Sequence, residues 1–122
     1  MKIRIRGNSV RMRISKSELD TFAKEGHLEE VTEFGNPNFG YALQSKPGIE
    51  NLSAEFSGNK ITVYVPEEMR TEWTKTDIVG FDNNMDIGNG KSLFILIEKD
   101  YACIDNVLED QSDNFVNPNA VC

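Results

Sequence analysis

Apolar and polar residues alternate with a period of two along the first fourteen positions. Ile3 and Ile5 point one way and Lys2, Arg4 and Arg6 the other, after which Val10, Met12 and Ile14 oppose Arg11 and Arg13. The pattern predicts a hairpin turning at Gly7-Asn8-Ser9. With a two-residue loop at Asn8-Ser9, Ile3 pairs with Ile14, Ile5 with Met12, Arg4 with Arg13 and Arg6 with Arg11. A slip of one residue would set arginine against the apolar face, so the alternation fixes the parity of the pairing.

The period then changes. Ser15 followed by Glu18 is a capping box, Leu19, Phe22 and Ala23 form an i, i+3, i+4 stripe, and Gly26 supplies a left-handed stop, which predicts a short amphipathic helix. Two further hairpins follow. Leu28–Phe34 and Phe39–Gln44 flank Gly35-Asn36-Pro37-Asn38; in Leu52–Pro66 the loop Gly58-Asn59 pairs Phe56 with Ile61, Ala54 with Val63 and Leu52 with Val65. Pro66-Glu67-Glu68-Met69-Arg70-Thr71-Glu72-Trp73 reads as a second helix, with proline and acids in its first turn and Met69 and Trp73 on one face. Ile78–Asp82 and Leu93–Glu98 form the last strand pair, joined by the turn-rich stretch Asn83–Gly90. Leu93-Phe94-Ile95-Leu96-Ile97 is apolar on both faces, as a central strand requires.

These elements predict an α+β domain: a mostly antiparallel β sheet or small barrel of about eight strands with two short helices. No internal repeat beyond the hairpin cadence is expected. At 122 residues the chain suits one core, so residues 1–103 are expected to form a single globular domain. Residues 104–122, acidic and irregular, are expected to pack on it as a tail or to fray. The apolar runs are too short to span a membrane and no apolar leader opens the chain, so a cytoplasmic protein without a membrane partner is expected. Cys103 and Cys122 are then read as free thiols, with a pairing between them left open.

Charge sharpens the picture. The net charge is −7, yet residues 1–16 carry six bases and no acid, including four of the five arginines. The strand pattern places Arg4, Arg6, Arg11 and Arg13 on one sheet face, where like charges oppose each other and call for an acidic layer, an anion or full hydration. The tail acids Asp105, Glu109, Asp110 and Asp113 could neutralise that face, or it could clamp a phosphate or carboxylate through the guanidinium fork. Nucleic acid is disfavoured by the overall charge, although Phe39 and Tyr41 could offer stacking. Glu98 and Asp100, at the exit of the most apolar strand, are read first as carboxylate partners for the arginines and second as a general acid/base pair.

Other chemistry has weaker support. Asp82, Asn84 and Asp86 place oxygen donors at alternate positions, as a calcium loop does, but Ile87 stands where such a loop needs glycine and Leu93 where it needs a bidentate glutamate. His27, Cys103 and Cys122 lack zinc-ligand spacing, and a lone histidine is a thin basis for a Cys–His nucleophile. Gly88-Asn89-Gly90-Lys91 lacks the strand-to-helix setting of a phosphate loop. No metal site and no cofactor is assigned.

The segments MKIRIRGNSVRMRISKSELDTFAKEG, GNKITVYVPEEM and LFILIEKDYACID, with a closing acidic stretch and NPN, resemble a family of short bacterial proteins with no established function. The resemblance covers most of the chain and implies a cytosolic single-domain protein, but brings no catalytic residues. The reading that follows is a small binding or interaction module whose arginine face docks its own acidic tail, a small anionic ligand or a protein partner. The alternative is a small enzyme for a phosphorylated or carboxylated substrate, with Arg4, Arg6, Arg11 and Arg13 as clamps and Glu98 or Asp100 as acid/base. The sequence does not fix an oligomeric state.

Overall fold

Each of the four strand pairs is a hairpin, and each helix links one hairpin to the next sheet. The computed structural model describes residues 1–101 together with Asp113 and Phe115. Its elements are β1 (Lys2–Ile5), β2 (Ser9–Ile14), α1 (Lys16–Glu25), β3 (His27–Thr32), β4 (Phe39–Lys46), β5 (Ser53–Ser57), β6 (Lys60–Pro66), α2 (Glu67–Lys75), β7 (Gly80–Gly88) and β8 (Lys91–Lys99). They build two four-stranded sheets, ordered β1-β2-β8-β7 and β3-β4-β6-β5. The hairpins are antiparallel, while the inner pairs β2–β8 and β4–β6 run parallel, so both sheets are mixed and no barrel closes. The eight strands, two helices and central position of β8 match the sequence reading.

A repeat that the residue identities conceal organises the fold. The unit ββαββ occurs twice, as β1–β4 and β5–β8, and each half gives one hairpin to each sheet. The ladders superpose at fixed offsets: Arg4 opposite Arg11 corresponds to Glu55 opposite Thr62, and Val10 beside Ile95 corresponds to Ile61 beside Tyr41. Even single bonds repeat, with Gly40 N donating to Asn59 O at 3.0 Å where Phe94 N donates to Asn8 O at 3.1 Å. Helix ends correspond too, since α1 is capped by Ser15 and α2 is preceded by Pro66. The two halves meet at Phe22 and Trp73, equivalent residues with no exposure, whose rings form an edge-to-face pair at 6.1 Å. Met12, Ile14, Ile95 and Ile97 from one sheet and Leu43, Val63 and Val65 from the other complete the core.

Two local expectations are corrected. In the first hairpin Arg4 faces Arg11, Ile3 faces Met12 and Lys2 faces Arg13, two residues away from the expected register. The turn needs a positive φ at its first central position; Gly7 supplies it at +54°, so Gly7-Asn8 form the loop, and Arg6 N donates to Ser9 O at 3.2 Å. Parity survives because the shift is even. In the last hairpin, Asn83–Gly88 is ladder rather than loop, so β7 is nine residues long. Its polar residues alternate with Met85 and Phe81, which pack on the core, and polarity alone had suggested a turn.

Candidate functional site

Alternation on β2 and β8 places a charged array on the outer face of the β1-β2-β8-β7 sheet. One row across the sheet holds Lys2, Arg13, Glu98 and Gly80; the next holds Arg4, Arg11, Leu96 and Asp82; a third begins at Ser9 and Phe94. The parallel pairing of β2 with β8 sets Arg13 directly beside Glu98.

Glu98 is the one buried charged residue among the described residues, at 5% exposure. Arg13 donates to its Oε1 through Nε at 3.1 Å and Nη2 at 2.9 Å, and Arg11 Nε lies 3.8 Å from the same oxygen. A carboxylate removed from water requires such partners, and here two arginines provide them. Asp100 extends the array, with Oδ2 3.1 Å from Lys2 Nζ and Oδ1 3.8 Å from Arg13 Nη1. Gly80 closes the row because a Cβ there would lie 2.0 Å from Ile97 O. The absence of a side chain lets β7 approach the strand that carries Glu98.

Beside this ion-pair array is a small cavity of about 50 Å³ lined by Arg4, Arg6, Ser9, Val10, Arg11 and Phe94. Arg4, Arg6 and Arg11 each have a further interaction, so none is without a partner. The structure therefore brings together all six sequence-selected residues: Arg4, Arg6 and Arg11 at the cavity, and Arg11 and Arg13 with Glu98 and Asp100 behind it. Lys2, Ser9 and Phe94 were missed. Phe94 shares strand parity with Glu98, and that signal could have placed it on the same face.

The remaining candidates separate. His27 lies on β3, with Nδ1 2.6 Å from Gln44 Oε1 and Nε2 3.2 Å from Glu29 Oε1. Cys103 and Cys122, and with them the question of their pairing, fall outside the described residues, as do the tail acids Asp105, Glu109 and Asp110. Asp82, Asn84 and Asp86 lie on one face of the extended strand β7, not in a wrapping loop. No group of three His, Cys, Asp or Glu side chains suited to a metal occurs among the described residues. Phe39 and Tyr41 form a tilted ring pair at 6.2 Å in the other sheet and line no part of the arginine cavity. No helix among the described residues is long and apolar enough to cross a membrane.

A second charged cluster, absent from the sequence reading, lies where β1 meets β3. The Met1 amino group bonds Glu18 and, at 3.2 Å, Glu30, while Tyr41 OH donates to Glu30 Oε2 at 2.8 Å and to Met1 O at 3.1 Å. Burial works against the charged amine, but its bonds to Glu18 and Glu30 prevail and raise its pKa above the ordinary 8.0. Burial likewise opposes the Glu18 carboxylate, yet the amine and the Ser15 cap hold its pKa below 4.5.

The family described as a family of unknown function, DUF7009, matches residues 1–119, and the chain belongs to it. No curated protein sequence matches the chain. No solved structure matches it either.

Proposed function

We propose that this DUF7009 member is a small binding module whose arginine face receives an anionic group. The observation that carries the reading is the convergence of Arg4, Arg6 and Arg11 on one cavity beside a buried glutamate that fixes the base of the array. A cavity of about 50 Å³ exceeds the roughly 30 Å³ that a water occupies in the liquid, so it accommodates the head of a carboxylate or phosphate group and not a whole metabolite. Guanidinium forks bind such planar or tetrahedral oxyanions through paired hydrogen bonds. Phe94 gives the cavity an apolar wall, which lowers the local dielectric and strengthens those bonds. The group comes either from the acidic tail of the chain or from a separate molecule, with the same chemistry in both cases.

Thermal denaturation of the full chain against phosphate, pyrophosphate and citrate tests the reading. A separate small anion raises Tm in a saturable manner, and Arg4→Ala or Arg11→Ala abolishes the rise. If the tail is the occupant, the intact chain is indifferent to small anions. Replacing Asp105, Glu109, Asp110 and Asp113 together by their amides then lowers Tm and creates a response to polyanions. Indifference of both proteins, with no loss of Tm in either arginine variant, would overturn the proposal.

A further inference from the structure

A second concavity lies away from the arginines, since none of them lines it. It is a groove of about 700 Å³ bounded by the β4–β5 connection, the first turns of α2 and Phe81 of β7. Its floor is apolar, with Pro66 buried and Ile49, Met69 and Phe81 half-buried, and its rim carries Glu50, Glu67, Glu68 and Glu72, all exposed. No base lines it. Arg70, the nearest on α2, is placed against Gly26, where a Cβ would lie 2.1 Å from its Nη1. Among the described residues none of the four rim glutamates is ion-paired, as is true of other exposed acids such as Glu33 and Glu55; what sets the groove apart is that four such acids ring one apolar floor.

From this acidic rim around an apolar floor we infer that the groove docks a lysine- or arginine-rich segment of a partner protein that carries an apolar side chain. The rim supplies charge complementarity and fast, salt-sensitive encounter. The half-buried floor takes the apolar anchor, in the usual arrangement of a polar rim around a desolvated centre. The helix supports the geometry: Glu67 and Glu68 lie in the first turn of α2, which sets both carboxylates at the rim of the groove. The site is distinct from the anion-binding face and independent of it, because no residue lines both cavities.

The test is fluorescence anisotropy of a labelled peptide of alternating Lys-Leu-Lys-Arg character, titrated with the full chain at roughly 50 mM and roughly 500 mM salt, where screening lengths differ severalfold. Saturable binding at low salt is expected, weakened at least tenfold by the triple variant Glu67→Gln, Glu68→Gln, Glu72→Gln and again by glycine in place of leucine in the peptide. All three acids are exposed, so the triple variant is expected to keep the parent Tm within a few degrees. A charge-matched variant with Glu29→Gln, Glu33→Gln and Glu55→Gln, none of which lines the groove, should bind as the parent does. Equal loss in both variants would reduce the effect to net charge and overturn the proposal. So would indifference to the leucines, which is the mark of simple cation attraction. If the peptide fails to bind and sedimentation shows self-association that the triple variant abolishes, the occupant is a second copy and the inference is wrong.

Discussion

Across the outer face of the β1-β2-β8-β7 sheet, Lys2, Arg13, Glu98 and Gly80 lie in one row, and the equivalent row of the other sheet holds Ser53, Tyr64, Gln44 and His27. One row further on, Arg4, Arg11 and Asp82 correspond to Glu55, Thr62 and Glu29. The strand pairing is the same in both places, down to the parallel central pair, although the Gly-Asn turns differ: Gly58 and Asn59 both take positive φ, and at Gly7-Asn8 only the glycine does. Only the first face has a buried ion pair and a guanidinium-lined cavity. Hydrogen-bonding geometry is thus shared by the two halves, while charge distinguishes them. The proposed function therefore rests on side chains carried by one face of a doubled scaffold and not on the scaffold itself.

The largest difference should appear at Gly80 and its counterpart His27. A methyl group at position 80 collides with backbone at Ile97 and Glu98, which cannot move aside as a flexible side chain would. Gly80→Ala is expected to cost about 3 kcal/mol and to loosen Glu98, while His27→Ala, which removes a side chain 43% exposed, should cost well under that. Urea unfolding measures both, and equal costs would remove the close approach of β7 as an element of the site.

Next in size is the pair Glu98 and Gln44. Glu98→Gln leaves Arg13 and Arg11 without their buried counter-charge, and because Arg13 is 36% exposed the expected cost is about 1–3 kcal/mol, below that of a fully buried pair. Gln44→Ala removes hydrogen bonds to His27 and Ser45 and should cost about 1 kcal/mol. Anion binding should change with Glu98→Gln and not with Gln44→Ala.

The junctions between the sheets extend the contrast to pH. Where β1 meets β3 the contact is ionic, through the Met1 amine, Glu18 and Glu30; where β5 meets β7, Asn83 Nδ2 donates to Leu52 O at 2.8 Å. The amine's pKa is raised above 8.0, so its contribution is complete below that value and disappears as pH climbs through the folded value. Glu18 is depressed below 4.5, so its contribution is complete above that value and disappears as pH falls through the folded value. Tm should therefore fall on both sides of the window between 4.5 and 8.0. Glu30→Gln should flatten the alkaline fall, and Asn83→Ala should lower Tm by the same amount at every pH. A Glu30→Gln profile parallel to the parent's would show that the amine cluster does not contribute to stability.

Much of this was legible in the sequence because alternation and caps are local. The arginine face, the α1 boundaries and the inner place of β8 follow from side-chain periodicity over a few residues. What escaped was non-local. The doubling left Gly7-Asn8 and Gly58-Asn59 as its clearest identities, while Val10, Met12 and Ile14 became Ile61, Val63 and Val65, and Phe22 became Trp73. A core conserves size and burial rather than residue names, so the repeat is visible as a pattern at an offset and not as similarity. The parallel contact that brings Arg13 to Glu98 depends on that doubling, since it pairs hairpins distant in sequence, and no local rule could supply it. The first hairpin's register was missed for a smaller reason: parity is set by alternation, but the choice between two even registers is made by which residue accepts a positive φ.

The smallest expected effect is the most informative about charge on the second face. Lys60 Nζ lies 3.3 Å from Glu29 Oε1, and that hydrogen bond is the main reason the Glu29 pKa is depressed, ahead of a weak opposing effect of burial and a bond from His27 at 3.2 Å. Both partners are more than a third exposed or nearly so, at 39% and 34%, so water screens the pair and holds its contribution under about 0.5 kcal/mol. Because the carboxylate is depressed, that contribution exists above the ordinary 4.5 and vanishes as pH falls below it. Lys60→Gln should therefore shift urea stability by less than about 0.5 kcal/mol at neutral pH, and added salt should erase even that. The Glu98 pair is embedded and should persist in the same salt. If Lys60→Gln proves as costly as Glu98→Gln, burial is not what separates the two faces, and the special standing of the arginine array falls with it.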